Sequence, residues 1–199
     1  ERLQERLQQL ERNTRELQET VMSIRMLPVS AVFNRFPRLV RDLAGKLDKQ
    51  IELRTFGEST ELDRGVIEKI TDPLTHLIRN SVDHGIELPD ERVAAGKPAK
   101  GILTLSAYHQ GGSVVIKIQD DGKGFDRDRI LAKARERNIT LSDTPTDQEV
   151  WNLIFAPGFS TADTVTDVSG RGVGMDVVRR NIENLGGRVD LQSAPGVGT

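Results

Sequence analysis

The sequence of 199 residues has no cysteine and only three histidines, one tryptophan and one tyrosine. The lack of cysteine excludes disulfide frameworks, thiolate metal sites and cysteine nucleophiles, and three scattered histidines argue against a dedicated zinc site. No apolar run approaches the roughly 18 residues of a membrane span, so we expect neither a transmembrane segment nor a secretory signal. The composition is that of a protein that works in water, and a cytoplasmic location is expected.

Charge and glycine divide the chain in two. Residues 1–54 carry 11 basic and 8 acidic side chains (net +3), and residues 55–199 carry 17 and 22 (net −5). Charges so interspersed are typical of a solvated helical surface, so we expect no nucleic acid partner. Because 17 of the 18 glycines follow residue 54, the sequence predicts two different architectures.

Residues 1–48 predict a helical hairpin. A heptad seam interrupted only by Thr14 is followed by a break at Leu27–Pro28, where Ser30 can cap a second helix. Such a hairpin cannot bury both of its seams, so we expect a second copy to complete a four-helix bundle in a homodimer. The alternative is that the hairpin packs on its own domain. The apolar positions are Leu3, Leu7, Leu10, Leu17, Val21 and Ile24 in the first helix, and Phe36, Val40, Leu43 and Leu47 in the second.

Residues 49–199 predict a mixed domain, which makes the whole chain α+β. A glycine-rich stretch from Pro157 to Gly174 is long enough to be a functional lid, and Thr146 with Glu149 forms a capping box. The predicted strands are 50–56, 101–108, 114–119 and 188–193, and the predicted helices are 62–84 (broken or bent at Asp72–Pro73), 126–137, a short one to Phe155, and 175–185.

Two motifs in this domain suggest ligand binding. Gly170, Gly172 and Gly174 lead into the last helix without the preceding strand of a dinucleotide-binding fold, yet free N–H groups there can seat an anion. Asp120 closes an apolar strand, and glycines 122 and 124 follow it. Its carboxylate can accept a hydrogen bond from a donor such as the amine of adenine, and the glycines allow close approach of a flat ring. A plain polar turn is the alternative.

A third motif lies on the long helix. His76, Asn80 and either Asp83 or His84 share one stripe by their spacing. The amide oxygen of Asn80 is a suitable ligand for Mg²⁺, which commonly keeps waters and bridges substrate phosphates. The alternative is an ordinary solvated stripe.

In this order the three motifs resemble the N box and glycine boxes of the GHKL ATP-binding superfamily, which has the Bergerat fold, a two-layer α/β sandwich. The segments HLIRNSVDHGIE from His76, GFST from Gly158 and VSGRGVGMDVV from Val168 are similar to the CheA family of chemotaxis histidine kinases. The resemblance covers nearly the whole chain. It implies a dimerisation domain (1–48) and an ATP-binding domain (49–199).

The resemblance also implies residue roles. Asp120, Gly122 and Gly124 form the adenine pocket, Asn80 holds Mg²⁺, and Thr199 helps to fix the base. Arg129 and Lys133 are expected phosphate contacts, although they can equally be surface cations. The remaining expected nucleotide contacts are His76, Asp83, His84, Ser160, Thr161, Gly170, Gly172, Gly174 and Met175.

Position 76 favours one activity over another. Hydrolases of this superfamily place a water-activating Glu four residues before the N-box Asn, whereas this chain has His76. We therefore expect transfer of the γ-phosphate of ATP to a protein histidine, with His76 and Asn80 as catalytic residues. A GHKL ATPase switch and a dimerisation scaffold with a degenerate pocket remain as alternatives.

The family resemblance implies further partners. The chain resembles a C-terminally truncated piece of such a kinase, whose phosphoacceptor His lies on a separate phosphotransfer domain. In the family, absent domains connect the kinase to CheW, chemoreceptor arrays at the membrane and the response regulators CheY and CheB.

Overall fold

The computed structural model describes residues 2–159 and 174–199 as helices packed against a three-stranded sheet, and it confirms the mixed α+β class. No helix in these ranges is both long and apolar enough to cross a bilayer. The strands are β1 (Met26–Pro28), β2 (Ile51–Phe56), β3 (Glu61–Asp63), β4 (Gly101–Gln110) and β5 (Ser113–Asp120). The α-helices are α1 (Arg2–Arg25), α2 (Ser30–Phe33), α3 (Phe36–Lys46), α4 (Arg64–Asn80), α5 (Pro89–Ala94), α6 (Arg127–Glu136), α7 (Asp147–Asn152) and α8 (Met175–Asn184).

The main sheet has the order β2-β4-β5. Strand β2 runs parallel to β4, with Ile51 opposite Gly101, and a parallel pair needs a crossover, which contains α4. Strands β4 and β5 are antiparallel and are joined by a tight turn at Gly111 and Gly112. This hairpin places Asp120 at the end of β5, opposite Leu103.

The main core lies between the sheet and α4. Alternation along β4 buries Leu103 and Leu105, and α4 buries Ile70, Leu74 and Ile78 on one stripe. Helix α4 continues through Pro73 to Asn80, so it is not broken at Asp72–Pro73 as one reading of the sequence predicted.

The second helix of the predicted hairpin packs into this same core. In α2 and α3, Val32, Phe33, Phe36 and Val40 are at most 2% exposed, whereas α1 buries no residue. Strand β1, which lies between α1 and α2 in the chain, pairs with β3. Helix α2 starts at Ser30 and has no side-chain cap, so the predicted cap by Ser30 is wrong. The second helix therefore packs on its own domain, which is the alternative interpretation, and the four-helix bundle in a homodimer stays a prediction. The helical spacing of α1 and α3 is the same, and spacing does not say which surface covers an apolar stripe.

A second apolar cluster is formed by α6, α7 and the 3₁₀ turn Leu153–Phe155. Residues 188–193, predicted as a strand, form no ladder; Val189 and Leu191 pack on this cluster instead. Alternating apolar residues therefore face a helical cluster here and not a sheet. The predicted capping box is confirmed, since Glu149 N–H donates to Thr146 Oγ1 at 3.3 Å and Thr146 N–H to the Glu149 carboxylate at 2.7 Å.

The packing of α3 predicts unequal effects of truncation. Phe36→Ala should lower the free energy of unfolding by about 3–5 kcal/mol because it leaves a cavity in the main core. Val93→Ala, on α5 and outside the apolar stripes, should change it by less than about 0.5 kcal/mol, because Val93 is 60% exposed. Urea unfolding of both variants measures this difference, and equal effects would contradict the packing described here.

Candidate functional site

The site is centred on Asp120, a carboxylate that is 4% exposed. Its Oδ1 accepts a hydrogen bond from the Gly122 N–H at 3.0 Å, and the Ser81 hydroxyl also donates to the carboxylate. The backbone N–H of Asp120 donates to the Thr199 carbonyl at 2.9 Å. Three segments that are distant in sequence therefore meet at one side chain.

The electrostatics of this position are unusual for an acid. Burial raises the pKa of Asp120 above its ordinary value of 3.8, and hydrogen bonds from Gly122, Ser81 and Thr199 oppose that rise. The nearby Asp121 charge raises the pKa further. A desolvated carboxylate in such surroundings is a common feature of ligand-binding sites.

Glycines allow the three segments to meet. A Cβ atom at Gly122 would lie 2.1 Å from the Gly85 carbonyl oxygen. A Cβ atom at Gly198 would lie 2.0 Å from the Asp120 carbonyl oxygen. No side chain fits at either position without moving backbone. The sequence predicts that Gly122 allows a flat ring to come close to the backbone. In the structure Gly122 allows its own segment to approach the backbone of Gly85.

Asn80 stands where α4 passes into a π-helical turn, Ser81–Gly85, a feature that is frequent at functional sites. Its Nδ2 donates to Met175 Sδ at 3.4 Å, which brings the start of α8 beside it. Helix α8 follows Gly174 and has no side-chain cap, as expected for an N-terminus that can accept an anion. Two predicted motifs, Asn80 and Gly174–Met175, are thus brought together.

His76 lies one helical turn before Asn80 and is half-buried. Burial, with the positive charge of Arg79, lowers the pKa of His76 below its ordinary value of 6.5. The imidazole is therefore neutral at physiological pH, and one of its nitrogens can accept a hydrogen bond or a proton.

Asp83 and His84 lie further along the same turn, where their side chains approach within 3.5 Å of each other. Both line a cleft of about 320 Å³ with Lys49 and Lys123, and neither Asn80 nor Asp120 lines it. Their role as nucleotide contacts stays a prediction.

Several other predicted contacts remain untested. Arg129 and Lys133 lie one turn apart on α6, whose Ile130 and Ala134 are buried in the second cluster. Gly124 approaches the Ala194 carbonyl, in the loop that carries Thr199. Ser160, Thr161, Gly170 and Gly172 lie outside the described residues.

Sequence reasoning missed three residues that support the site. Ser81 donates to Asp120, and its position directly after Asn80 is the one signal for it in the sequence.

Ser193 supports the C-terminal loop. Its Oγ accepts the Phe125 N–H at 2.8 Å and lies 3.1 Å from Thr199 Oγ1, but the sequence predicts a strand for this segment. Lys49 Nζ donates to the carbonyls of Val82 and Asp83 at 2.7 and 2.6 Å, holding the π-helical turn.

Comparison with known proteins agrees with this geometry. Residues 69–199 match the family described as histidine kinase-, DNA gyrase B- and HSP90-like ATPase. The chain belongs to this family. The resemblance to GHKL proteins drawn from the three motifs is confirmed.

Individual relatives are more specific. The chain is 64% identical to the chemotaxis protein CheA of Salmonella typhimurium, over 96% of the chain and 28% of that protein. It is 51% identical to CheA of Bacillus subtilis, over 99% of the chain and 30% of that protein. The chain thus spans less than a third of these relatives. The histidine kinase domain of an Erythrobacter litoralis blue-light activated histidine kinase matches with a TM-score of 0.49 and 14% identity, covering 86% of this chain and 61% of that one.

The lowered pKa of His76 predicts a pH-dependent stability. Between its folded-state pKa and 6.5 the unfolded chain binds the proton more readily, so the free energy of unfolding should fall as pH drops through this range. His76→Gln should reduce that fall. Urea unfolding at about pH 7.5 and 5.5 measures the difference, and the same pH dependence in both proteins would contradict it.

Proposed function

We propose that the chain is the ATP-binding catalytic core of a CheA-type histidine protein kinase, which transfers the γ-phosphate of Mg-ATP to a histidine of a separate phosphotransfer domain. The observation that carries the proposal is the buried Asp120 carboxylate, which meets the segment after Asn80 and lies in the same site as the start of α8. Asp120, next to Ser81, is a hydrogen-bond acceptor that suits a base. The start of α8, next to Asn80, is a helix N-terminus that suits an anion.

The base is recognised by Asp120. Its carboxylate accepts a hydrogen bond from the 6-amino group of adenine, and its neighbours Ser81 and Gly122 hold it in place. The Thr199 hydroxyl, 3.1 Å from that of Ser193, lies on the same side and helps to fix the base. An amine donor fits this site because the acceptor is charged, desolvated and preorganised.

The phosphates lie toward α8. Asn80 would hold Mg²⁺ through its amide oxygen, and the ion would neutralise charge on the phosphates. Backbone N–H groups at Gly174 and Met175 face the phosphates. The remaining family contacts assigned to this region are Asp83, His84, Arg129, Lys133, Ser160, Thr161, Gly170 and Gly172.

The reaction needs positioning more than covalent chemistry. A nitrogen of the acceptor imidazole forms a bond to the γ-phosphorus while the bond to the β–γ bridging oxygen breaks, which releases ADP. A neutral His76 beside Asn80 contacts the γ-phosphate or receives a proton. Water lacks a carboxylate base at this position, which favours transfer over hydrolysis.

The chain acts as part of a larger signalling kinase in the cytoplasm. The chain covers less than a third of the length of its CheA relatives. We propose that coupling to CheW, chemoreceptors and the response regulators CheY and CheB belongs to other domains of this kinase.

Helix α1 is proposed as the dimerisation element, in place of residues 1–48 as a whole. Its leucines are exposed, including Leu3 at 75% and Leu10 at 64%, and they keep a heptad spacing that suits a coiled coil with a second copy.

Phosphotransfer tests the catalytic proposal. The chain with γ-labelled Mg-ATP should label an added histidine phosphotransfer domain with acid-labile, alkali-stable phosphate. Asp120→Asn should weaken ATP binding by about tenfold or more, because the amide is a poorer acceptor for the amine of adenine than the carboxylate.

Asp42→Asn, an exposed change on α3, is the matched control and should leave both binding and labelling unchanged. Release of free phosphate in place of labelled protein would contradict the kinase proposal and favour an ATPase.

Self-association tests the role of α1. Leu10→Glu should weaken the dimer by at least about tenfold, because it places a charge in the coiled-coil seam. Gln8→Glu adds the same charge outside the seam and should leave the dimer intact. Sedimentation velocity measures both, and equal effects would be evidence against the seam.

A further inference from the structure

Two cationic side chains, Arg92 and Lys97, contact the loop that follows Asp120. Arg92 of α5 is 0% exposed, and Lys97 follows three residues after α5 ends. Together with the carboxylates of Glu87 and Asp121 they form a paired cluster outside the predicted nucleotide contacts. An arginine is almost never fully buried unless it is paired, and Arg92 is paired with both carboxylates.

The hydrogen bonds of this cluster converge on one short piece of backbone. Arg92 Nη1 and Lys97 Nζ each donate to the Asp121 carbonyl at 3.1 Å, and Lys97 Nζ donates to the Gly122 carbonyl at 2.7 Å. Arg92 Nη2 also donates to Asp121 Oδ2 at 3.0 Å, while Oδ1 of the same carboxylate accepts the Ile102 N–H at 2.8 Å. The loop is therefore fixed on both its main chain and its side chain.

The Asp121 carbonyl and the Gly122 N–H belong to the same peptide group, which is planar and rigid. The carbonyl side of this plane accepts from the two cations, and the N–H side donates to Asp120 Oδ1 at 3.0 Å. Holding one edge of the plane orients the other, and donors on the carbonyl polarise the N–H toward the carboxylate.

The cluster is itself well anchored. Arg92 Nε donates to the Pro98 carbonyl at 2.7 Å, and Glu87 accepts from Arg92 at 3.1 Å and Lys97 at 3.0 Å. Burial alone would raise the pKa of Glu87, but the hydrogen bond and charge of Lys97, with the charge of Arg92, hold that pKa below its ordinary value. The carboxylate that fixes the two cations is thus ionised at neutral pH.

We propose that Arg92 and Lys97 are positioning residues for base recognition, which orient the Asp120 carboxylate through the Asp121–Gly122 peptide plane. This inference rests on the proposed function, because it assigns Asp120 to the 6-amino group of adenine. Neither cation touches the nucleotide in this assignment. Their effect is on discrimination between bases and not on phosphate binding.

The test compares Mg-ATP with purine riboside triphosphate, the analogue without the 6-amino group, by isothermal titration calorimetry. Lys97→Met keeps the alkyl stem and removes the donors, and it should weaken ATP binding about tenfold while changing the affinity for the analogue less than about twofold. Lys100→Met, at an exposed lysine three residues further on, should change neither affinity.

Arg92→Lys provides a second variant that retains the charge but not the forked geometry, and it should also lower the preference for ATP. Equal loss of both affinities in Lys97→Met would indicate a merely structural cluster and overturn the proposal. Unchanged affinities in Lys97→Met would also overturn it while leaving the proposed function intact. A wild-type chain that bound neither nucleotide would overturn the proposed function itself.

Discussion

The burial of one carboxylate constrains the rest of this structure. Asp120 is nearly inaccessible, and it is kept there by backbone and hydroxyl donors from three segments. A buried charge without such donors would be strongly destabilising, so the sheet hairpin, the π-helical turn and the C-terminal loop must all be in place around it. Gly122 and Gly198 are needed because the segments approach closer than any side chain permits.

The two faces of this arrangement have different chemistry. On one side the acceptor oxygens of Asp120 suit the edge of a base, and on the other the uncapped start of α8 suits anionic groups. Asn80 lies at the boundary, at the point where α4 changes from α- to π-helical geometry. Two successive residues contact the two sides, because Asn80 donates to Met175 and Ser81 donates to Asp120.

Much of this site could be predicted from the sequence, and the reason is local. Asp120 ends an apolar strand, and Asn80 and His76 share a helical stripe, so periodicity predicts the position of each residue on its own strand or helix. Packing partners were less predictable. The apolar stripe of α3 has the spacing of a dimer seam yet is buried against α4, and residues 188–193 alternate like a strand yet contact a helical cluster. Arg92 carried no signal, because a charged residue on a short helix is ordinarily exposed.

The contact between Asn80 and Met175 joins residues 95 positions apart, whereas β4 and β5 are joined by a two-glycine turn. Closing the longer loop is entropically unfavourable and slow compared with forming a hairpin. During folding, the strand that bears the buried Asp120 carboxylate can therefore be in place before Asn80 and Met175 come into contact. Under the proposed function, the side of the pocket that holds the base therefore forms before the side that holds the phosphates.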